Sequence, residues 1–234
     1  VEKIGEDFGY DGLGILAVQD VPNLQQLREK LLSTGRHFAE DLSEECRKKY
    51  EHPKSYWSFG WSHGKEKLQG RPDYSKGSYY NNPVENVPYT DQKIVDAWPS
   101  FAHPNIWPSK EDEPDLESSF MNLGKLMVDT GLKLATMCDK YTEKVWMKEG
   151  YKIVERNKLN RIIKGSKVTK GRLVHYYSRS KEAIRKDVNP EFAFSSWCGW
   201  HNDHGSLTAV VPALYFKDGK IIKKGSPDPL AGLY

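Results

Sequence analysis

Residues 197–208 read WCGWHNDHGSLT, and this stretch decides how the rest of the sequence is interpreted. It contains His201 and Asp203, which are separated by a single residue. On an extended strand, residues two apart point to the same face, so this imidazole and this carboxylate can approach one metal ion together. Two histidines and one carboxylate, with open positions left over, are the facial ligand set for non-haem iron. The triplet alone is weak evidence, because two solvated loop residues give the same pattern.

The residues around this stretch show strand patterns. β-Branched and aromatic residues fill 172–177, 192–200 and 206–216, and turn residues bound each run. Asp218 and Gly219 predict a hairpin turn with a further strand after it. The C-terminal part of the chain is therefore predicted to be built from β-strands.

The N-terminal part shows helical patterns instead. Leucines at helical spacing predict a helix over 23–42, a short helix is expected over 43–50, and apolar residues three and four apart predict a long helix over 114–148. Residues 11–18 predict a short buried strand. Proline, glycine, asparagine and aromatic residues fill 52–108, which predicts long ordered loops with short helical turns. Helices followed by strands predict an α+β fold.

The composition is that of a globular protein, with 38% hydrophobic and 29% charged residues. A formal net charge of +3 is too small to predict nucleic-acid binding. The basic stretch 152–172 is predicted to be a solvated loop or edge strand, with polyanion contact as the alternative. Three cysteines without a CxxC spacing indicate a reducing compartment, and no apolar run approaches the roughly 18 residues that span a membrane. We expect a cytoplasmic protein without a nucleic-acid or membrane partner.

Several segments resemble one enzyme family. HNDHGSLTAVV (201–211) resembles the iron-binding strand of the isopenicillin N synthase-like branch of the 2-oxoglutarate and Fe(II)-dependent oxygenases, which reads His-x-Asp-x-Gly-x-Leu-Thr. RLVHYYS (172–178) resembles that family's Arg-x-Asn-Tyr-Tyr-Pro strand, and PDPLAGLY (227–234) resembles a stretch before the middle of its barrel. The resemblance covers nearly all of the chain. It implies a mainly helical region over 1–150 with long loops, then the first part of a double-stranded β-helix (jelly roll) over 151–234, incomplete in this chain.

The resemblance also implies roles for particular residues. His201 and Asp203 become iron ligands, and Tyr177 becomes a residue that contacts the 2-oxoglutarate carboxylate. His175 stands where the family has asparagine, so it is a candidate cosubstrate residue and a packed strand histidine is its alternative. His63 and Trp61 lie in the aromatic loop 56–64 and are candidate substrate-binding residues, with surface capping and packing as alternatives. The expected reaction is an oxidation by dioxygen of a small organic substrate, with Fe(II) as cofactor and 2-oxoglutarate as cosubstrate.

The pattern is incomplete in one respect. The family's second iron histidine and the arginine that follows it lie about 50 or more residues beyond the aspartate, whereas no histidine follows His204 here. We therefore expect the chain to be a fragment of an active enzyme whose third ligand lies beyond residue 234. The alternatives are a catalytically inactive binding module that keeps the oxygenase fold, and a zinc site formed by His201 and His204.

Overall fold

Helices and short antiparallel strands are combined in the described part of the chain. The structure, a computed structural model, describes residues 1–68, 71–153, 155–178, 201–223 and 225–226. Within these ranges the helices are α1 (Glu2–Phe8), α2 (Leu24–Arg36), α3 (Glu44–Lys48), α4 (Gln92–Ala97), α5 (Pro99–Ala102), α6 (Leu116–Lys148) and α7 (Lys158–Gly165). The strands there are β1 (Gly60–His63), β2 (Lys67–Leu68), β3 (Arg71–Pro72), β4 (Lys76–Asn81), β5 (Gly171–Tyr176), β6 (Phe216–Lys217) and β7 (Lys220–Ile221). This content confirms the α+β class, and a jelly roll is not among the sheets that these residues form.

The two longest helices pack through apolar side chains at helical spacing. Helix α6 buries Leu116, Phe120 and Leu123, which are four and three residues apart and therefore share one face. Helix α2 buries Leu31 in the same core. Each such side chain contributes about 1.5–3 kcal/mol when it is fully removed from water. The spacing of apolar residues thus correctly predicted both helices. Among the described residues, no helix combines the length and the apolar character that crossing a lipid bilayer requires.

One carboxylate holds α7 against α6. The two oxygens of Asp139 accept hydrogen bonds from the backbone N–H groups of Leu159 and Asn160, both at 2.9 Å. These donors lie in the first turn of α7, where a helix has no internal partners for them. The residue before the helix, Asn157, makes no side-chain cap, so Asp139 takes that role. The basic stretch that was predicted to be a loop or edge strand is therefore partly a solvated helix.

The central sheet is antiparallel, with β4 between β1 and β5. Trp61 of β1 pairs with Tyr79 of β4, which pairs with Leu173 of β5, and these three side chains face the core. Alternate residues face the other way, where Arg172 donates to the Ser78 hydroxyl at 3.1 and 2.9 Å. Because β4 precedes residue 150 and β5 follows it, the two predicted regions share this sheet.

Phe38 joins the sheet to the helices. It lies in the π-helical turn His37–Asp41 that continues α2, and it is 1% exposed. Its ring centroid is 5.3 Å from that of Trp61 and 5.1 Å from that of Tyr79, both in edge-on geometry. Edge-on aromatic pairs add about 0.5–1.5 kcal/mol beyond their buried area. This aromatic cluster fixes where β1 and β4 lie relative to α2.

Two strand predictions are wrong. Residues 11–18 form no strand: the N–H of Gly14 donates to the Asp7 carbonyl at 2.8 Å, and Leu13 is exposed. Residues 206–215 belong to no strand ladder. In that segment Pro212 has no N–H to give to a ladder, and its carbonyl accepts from Arg28 instead.

The long-loop prediction for 52–108 is wrong in part, because β1, β4 and the short pair β2–β3 lie inside it. The C-terminal hairpin is confirmed: β6 pairs with β7, and Asp218 and Gly219 between them have φ values of 51° and 74°. Two positive φ values are what the tightest hairpin turn requires. The predicted strand over 192–200 and the segment 227–234 lie outside the described residues.

Candidate functional site

The segment 201–223, called here the C-terminal segment, is tied to α2 by one side chain. Arg28 donates through Nε to the Pro212 carbonyl and through Nη2 to the Ala213 carbonyl, both at 2.6 Å. Val211 packs against the hydrophobic core beside this contact. The predicted iron ligands His201 and Asp203 therefore lie at the start of this segment, and Arg28 holds the segment farther along, at Pro212 and Ala213.

His201 and Asp203 are brought together as their spacing predicts. Nε2 of His201 lies 3.2 Å from Oδ1 of Asp203, and the side chains are 59% and 52% exposed. The other oxygen, Oδ2 of Asp203, accepts a hydrogen bond of 2.7 Å from the Thr208 hydroxyl. This hydrogen bond, helped by the His201 imidazole, holds the pKa of the Asp203 carboxyl below its usual value. The carboxylate is thus kept in the ionised form that a metal ligand needs.

The fit of this pair to an iron centre is incomplete. A facial centre needs three protein ligands, and the described residues bring two donors together here. Across residues 1–68, 71–153, 155–178, 201–223 and 225–226, no three His, Cys, Asp or Glu side chains are grouped so that they could hold a metal ion. The described residues alone therefore do not fit a complete iron site.

The other four candidate residues meet on the core-facing side of the central sheet. His63 of β1 pairs with Gly77 of β4, and Gly77 pairs with His175 of β5, so the two histidines flank a glycine. The Tyr177 ring lies between them, with its centroid 5.0 Å from each imidazole. Trp61 extends the row, 6.2 Å from His63. The structure thus places the predicted cosubstrate and substrate residues in one ring cluster, Trp61–His63–Tyr177–His175.

Two members of this ring cluster, His175 and Tyr177, contact the π-helical turn after α2 through their polar atoms. Nε2 of His175 lies 2.9 Å from the Glu40 carboxylate, and the Tyr177 hydroxyl donates to the Ala39 carbonyl at 3.2 Å. Burial lowers the pKa of the His175 imidazole although Glu40 opposes this, and burial raises the pKa of the Tyr177 phenol. A bound carboxylate would therefore have to displace Glu40 in order to reach His175.

A pocket of about 220 Å³ opens beside this ring cluster. Trp61 and His63 form part of its wall, together with the exposed ring of Tyr74, and the charged residues Arg47 and Lys65 also line it. His63 is held in the wall by a contact of 3.2 Å between its Nε2 and the Tyr74 carbonyl. Trp61 and His63 thus line a pocket, and their role in substrate binding stays a prediction.

Sequence reasoning missed Arg47. Its Nη1 donates to the Ala39 carbonyl at 2.7 Å and also to the Leu42 carbonyl, which fixes the guanidinium group. Its Nε is buried and has no hydrogen-bond partner among the described residues. The local signal was Ser43, whose hydroxyl accepts from the Cys46 N–H and begins α3, so that Arg47 follows one turn later.

No family model matches the chain, and neither the curated proteins nor the solved structures include a match to it. The resemblance to the oxygenases therefore stays a prediction from the residues quoted above. Support for the role of each candidate residue comes from the geometry of the described residues.

Proposed function

We propose that this chain belongs to a non-haem Fe(II)-dependent oxidoreductase, a 2-oxoglutarate-dependent dioxygenase that acts on a small organic substrate. The observation that carries the proposal is the approach of His201 Nε2 to Asp203 Oδ1 at 3.2 Å within the HNDHGSLT segment. In this proposal the two side chains are two of the three iron ligands. The third ligand is not among the described residues.

The proposed role of the C-terminal segment is to orient these two donors. Thr208 keeps one oxygen of Asp203 hydrogen-bonded, which leaves the oxygen next to His201 for a metal. Second-partner hydrogen bonds of this kind fix the orientation of metal-binding carboxylates. When bound, Fe(II) supplies the activation of dioxygen, and the protein supplies geometry. The jelly roll over 151–234 is part of this proposal, because it would set His201 and Asp203 on one strand.

The ring cluster supports a common site for cosubstrate and substrate. Tyr177 and His175 are proposed to contact 2-oxoglutarate, whereas His63 and Trp61 are proposed to contact the substrate. All four lie on one face of the sheet within a continuous row of ring contacts. Residues that act on two reacting molecules must lie this close, because the molecules react only when they are held together.

The test is anaerobic titration of the chain with Fe(II) in the presence of 2-oxoglutarate, followed by visible absorption of the metal–keto-acid complex. We expect binding that His201→Ala and Asp203→Ala each weaken at least tenfold. His204→Gln is the matched control, since it changes the adjacent histidine, and it should bind like the unaltered chain. Binding that survives His201→Ala, or that depends equally on His204, would overturn the assignment. Dependence on His204 with a preference for Zn(II) would indicate the zinc site.

A catalytically inactive binding module is the second candidate. The observation that favours it is that His175 and Tyr177 use their polar atoms on Glu40 and Ala39 within the protein. Such a module binds a small molecule in the pocket beside the ring cluster and does not turn it over. Ligand binding that is independent of metal, combined with no Fe(II) complex in the titration above, would favour this candidate.

A further inference from the structure

We propose that one exposed face of helix α6 binds the surface of an anionic lipid bilayer. This face is called here the lysine stripe, and it consists of Lys133, Met137, Lys140, Lys144, Met147 and Lys148. Three features carry the proposal: the lysines share one face, no carboxylate among the described residues neutralises them, and exposed methionines stand between them. Binding at this face goes beyond the proposed function and needs no metal.

The lysine stripe follows from helical spacing. From Lys133, residues 137, 140, 144 and 148 follow at intervals of three or four, which keeps them on one face of α6. At 1.5 Å per residue, this face is about 22 Å long. Helix α1 packs beside it at Tyr141, and α7 packs on its other side at Asp139. The lysines between these two helices are all exposed.

Carboxylates do not neutralise the lysine stripe. Between Lys133 and Lys148, α6 has two carboxylates, Asp139 and Glu143, and both are engaged by α7 and the turn before it. Asp139 accepts from two backbone N–H groups of α7, and Glu143 pairs with Arg156 at 3.1 Å. No ion pair within the described ranges includes a lysine of the stripe. These lysines therefore present their charge to the solvent.

Positive charge is concentrated in this part of the chain. Residues 131–165 contain nine Lys and Arg and four Asp and Glu, a formal charge of +5, whereas the whole chain carries +3. The rest of the chain is therefore net acidic. The expectation of no membrane partner came from the whole-chain charge and from the lack of a long apolar run, and neither of these detects a local basic face.

The side chains of the lysine stripe favour a lipid surface over a nucleic acid. The stripe contains no arginine, asparagine or glutamine, which are the side chains that grip phosphate in pairs or read base edges. Met137 and Met147 are 43% and 59% exposed, and apolar side chains beside lysines suit the boundary between headgroups and acyl chains. Helices that bind anionic lipid carry clusters of about four to eight basic residues, and the four lysines here reach that range.

The experiment is co-sedimentation of the chain with vesicles of phosphatidylcholine, with and without about one-third phosphatidylserine. We expect binding to the anionic vesicles alone, weakened at least tenfold when salt is raised from about 0.1 to 0.5 M. The triple variant Lys140→Gln, Lys144→Gln, Lys148→Gln should bind at least tenfold more weakly, since each lysine near such a surface contributes about fivefold.

The matched control removes the same charge elsewhere. Lys54→Gln, Lys93→Gln and Lys110→Gln change three exposed lysines outside α6 that also lack an ion pair among the described residues. This variant should keep its vesicle affinity within about threefold. Because the altered positions in both variants are exposed, we expect both to fold, with circular dichroism as the check. Equal binding to the two kinds of vesicle, or an equal loss in the two triple variants, would overturn the proposal.

A double variant separates a lipid surface from a nucleic acid. Met137→Gln with Met147→Gln keeps every charge and should weaken vesicle binding several-fold, because the apolar contact with lipid is lost. Vesicle binding that this pair leaves unchanged, together with binding of a labelled DNA duplex that depends on the stripe lysines, would assign the face to nucleic acid and overturn the proposal.

Discussion

Replacing Gly77 by alanine tests the contact on which the ring cluster depends. Gly77 is buried in the central strand β4, between His63 and His175. A Cβ atom at this position would lie 2.2 Å from Cη2 and 2.7 Å from Cζ2 of Trp61. The indole therefore lies directly over the glycine, and the added methyl group would need the space that the outer edge of the indole occupies.

The magnitude follows from two opposing effects. Ordinary contacts begin at about 3.4 Å, so the Trp61 ring must move by more than 1 Å or the strand must bend. Overpacking of this kind costs about 1–3 kcal/mol, whereas replacing glycine inside a strand recovers about 0.5–1 kcal/mol of backbone entropy. We expect Gly77→Ala to lower the free energy of unfolding by about 1–2 kcal/mol, since the indole is enclosed by Phe38 and cannot shift freely.

The assay is urea unfolding followed by circular dichroism, in which this loss lowers the midpoint by about 0.5–1 M. Gly165→Ala is the matched control, because a Cβ there meets nothing within 4 Å, and it should be neutral or stabilising. Trp61→Phe removes the outer edge of the indole, so the double variant with Gly77→Ala should be more stable than the two single losses added together predict. A Gly77→Ala protein as stable as the original, or strictly additive variants, would refute this reasoning.

Three further changes test the C-terminal segment, the docking of α7 and the ring cluster. Thr208→Val removes the hydrogen bond that lowers the pKa of Asp203, so that pKa should rise, as measured by NMR titration, and an unchanged value would contradict the geometry. Asp139→Asn leaves one oxygen acceptor in place of the two that now accept from backbone N–H groups of α7. This change should lower the free energy of unfolding by about 1–2 kcal/mol, and hydrogen exchange should become faster at the start of α7 and not in α2. Because burial lowers the pKa of His175, the unfolded chain binds more protons than the folded one as the pH falls below about 6.5, so stability declines there. His175→Gln should flatten this decline in urea unfolding measured across the pH range, and an equally steep decline would show that His175 is not responsible.

The helices could be predicted from sequence because their signal is local. Leu116, Phe120 and Leu123 show their common face within eight residues. The central sheet could not be predicted in the same way. Trp61 of β1 pairs with Tyr79 of β4, and β4 pairs on its other side with β5, which begins more than 100 residues after Trp61. Strand β5 was predicted from its β-branched and aromatic residues, whereas β1 (GWSH) and β4 (KGSYYN) contain glycine and polar residues and resemble loops when each is considered alone.

The candidate site shows the same difference between local and tertiary information. The approach of His201 to Asp203 was predicted because two residues on one extended segment need no tertiary information. The sequence also indicated each member of the ring cluster as a candidate residue. That these residues lie in one row could not be predicted, because it depends on the register of three strands. The role of Arg47 could not be predicted, because it depends on where α3 lies beside β1 and on which carbonyls its guanidinium group reaches.

The structure therefore separates two parts of the proposed function that the sequence treats as one. The ring cluster and its pocket are preformed, because Gly77 lets Trp61 lie over β4 while His63 and His175 stand on either side of it. The metal pair is exposed and needs a further ligand that the described residues do not supply. A site that is already ordered binds its ligand without the cost of ordering it. We therefore expect a small ligand to bind the pocket whether or not metal is present, and metal affinity to depend on the residues that complete the His201–Asp203 pair.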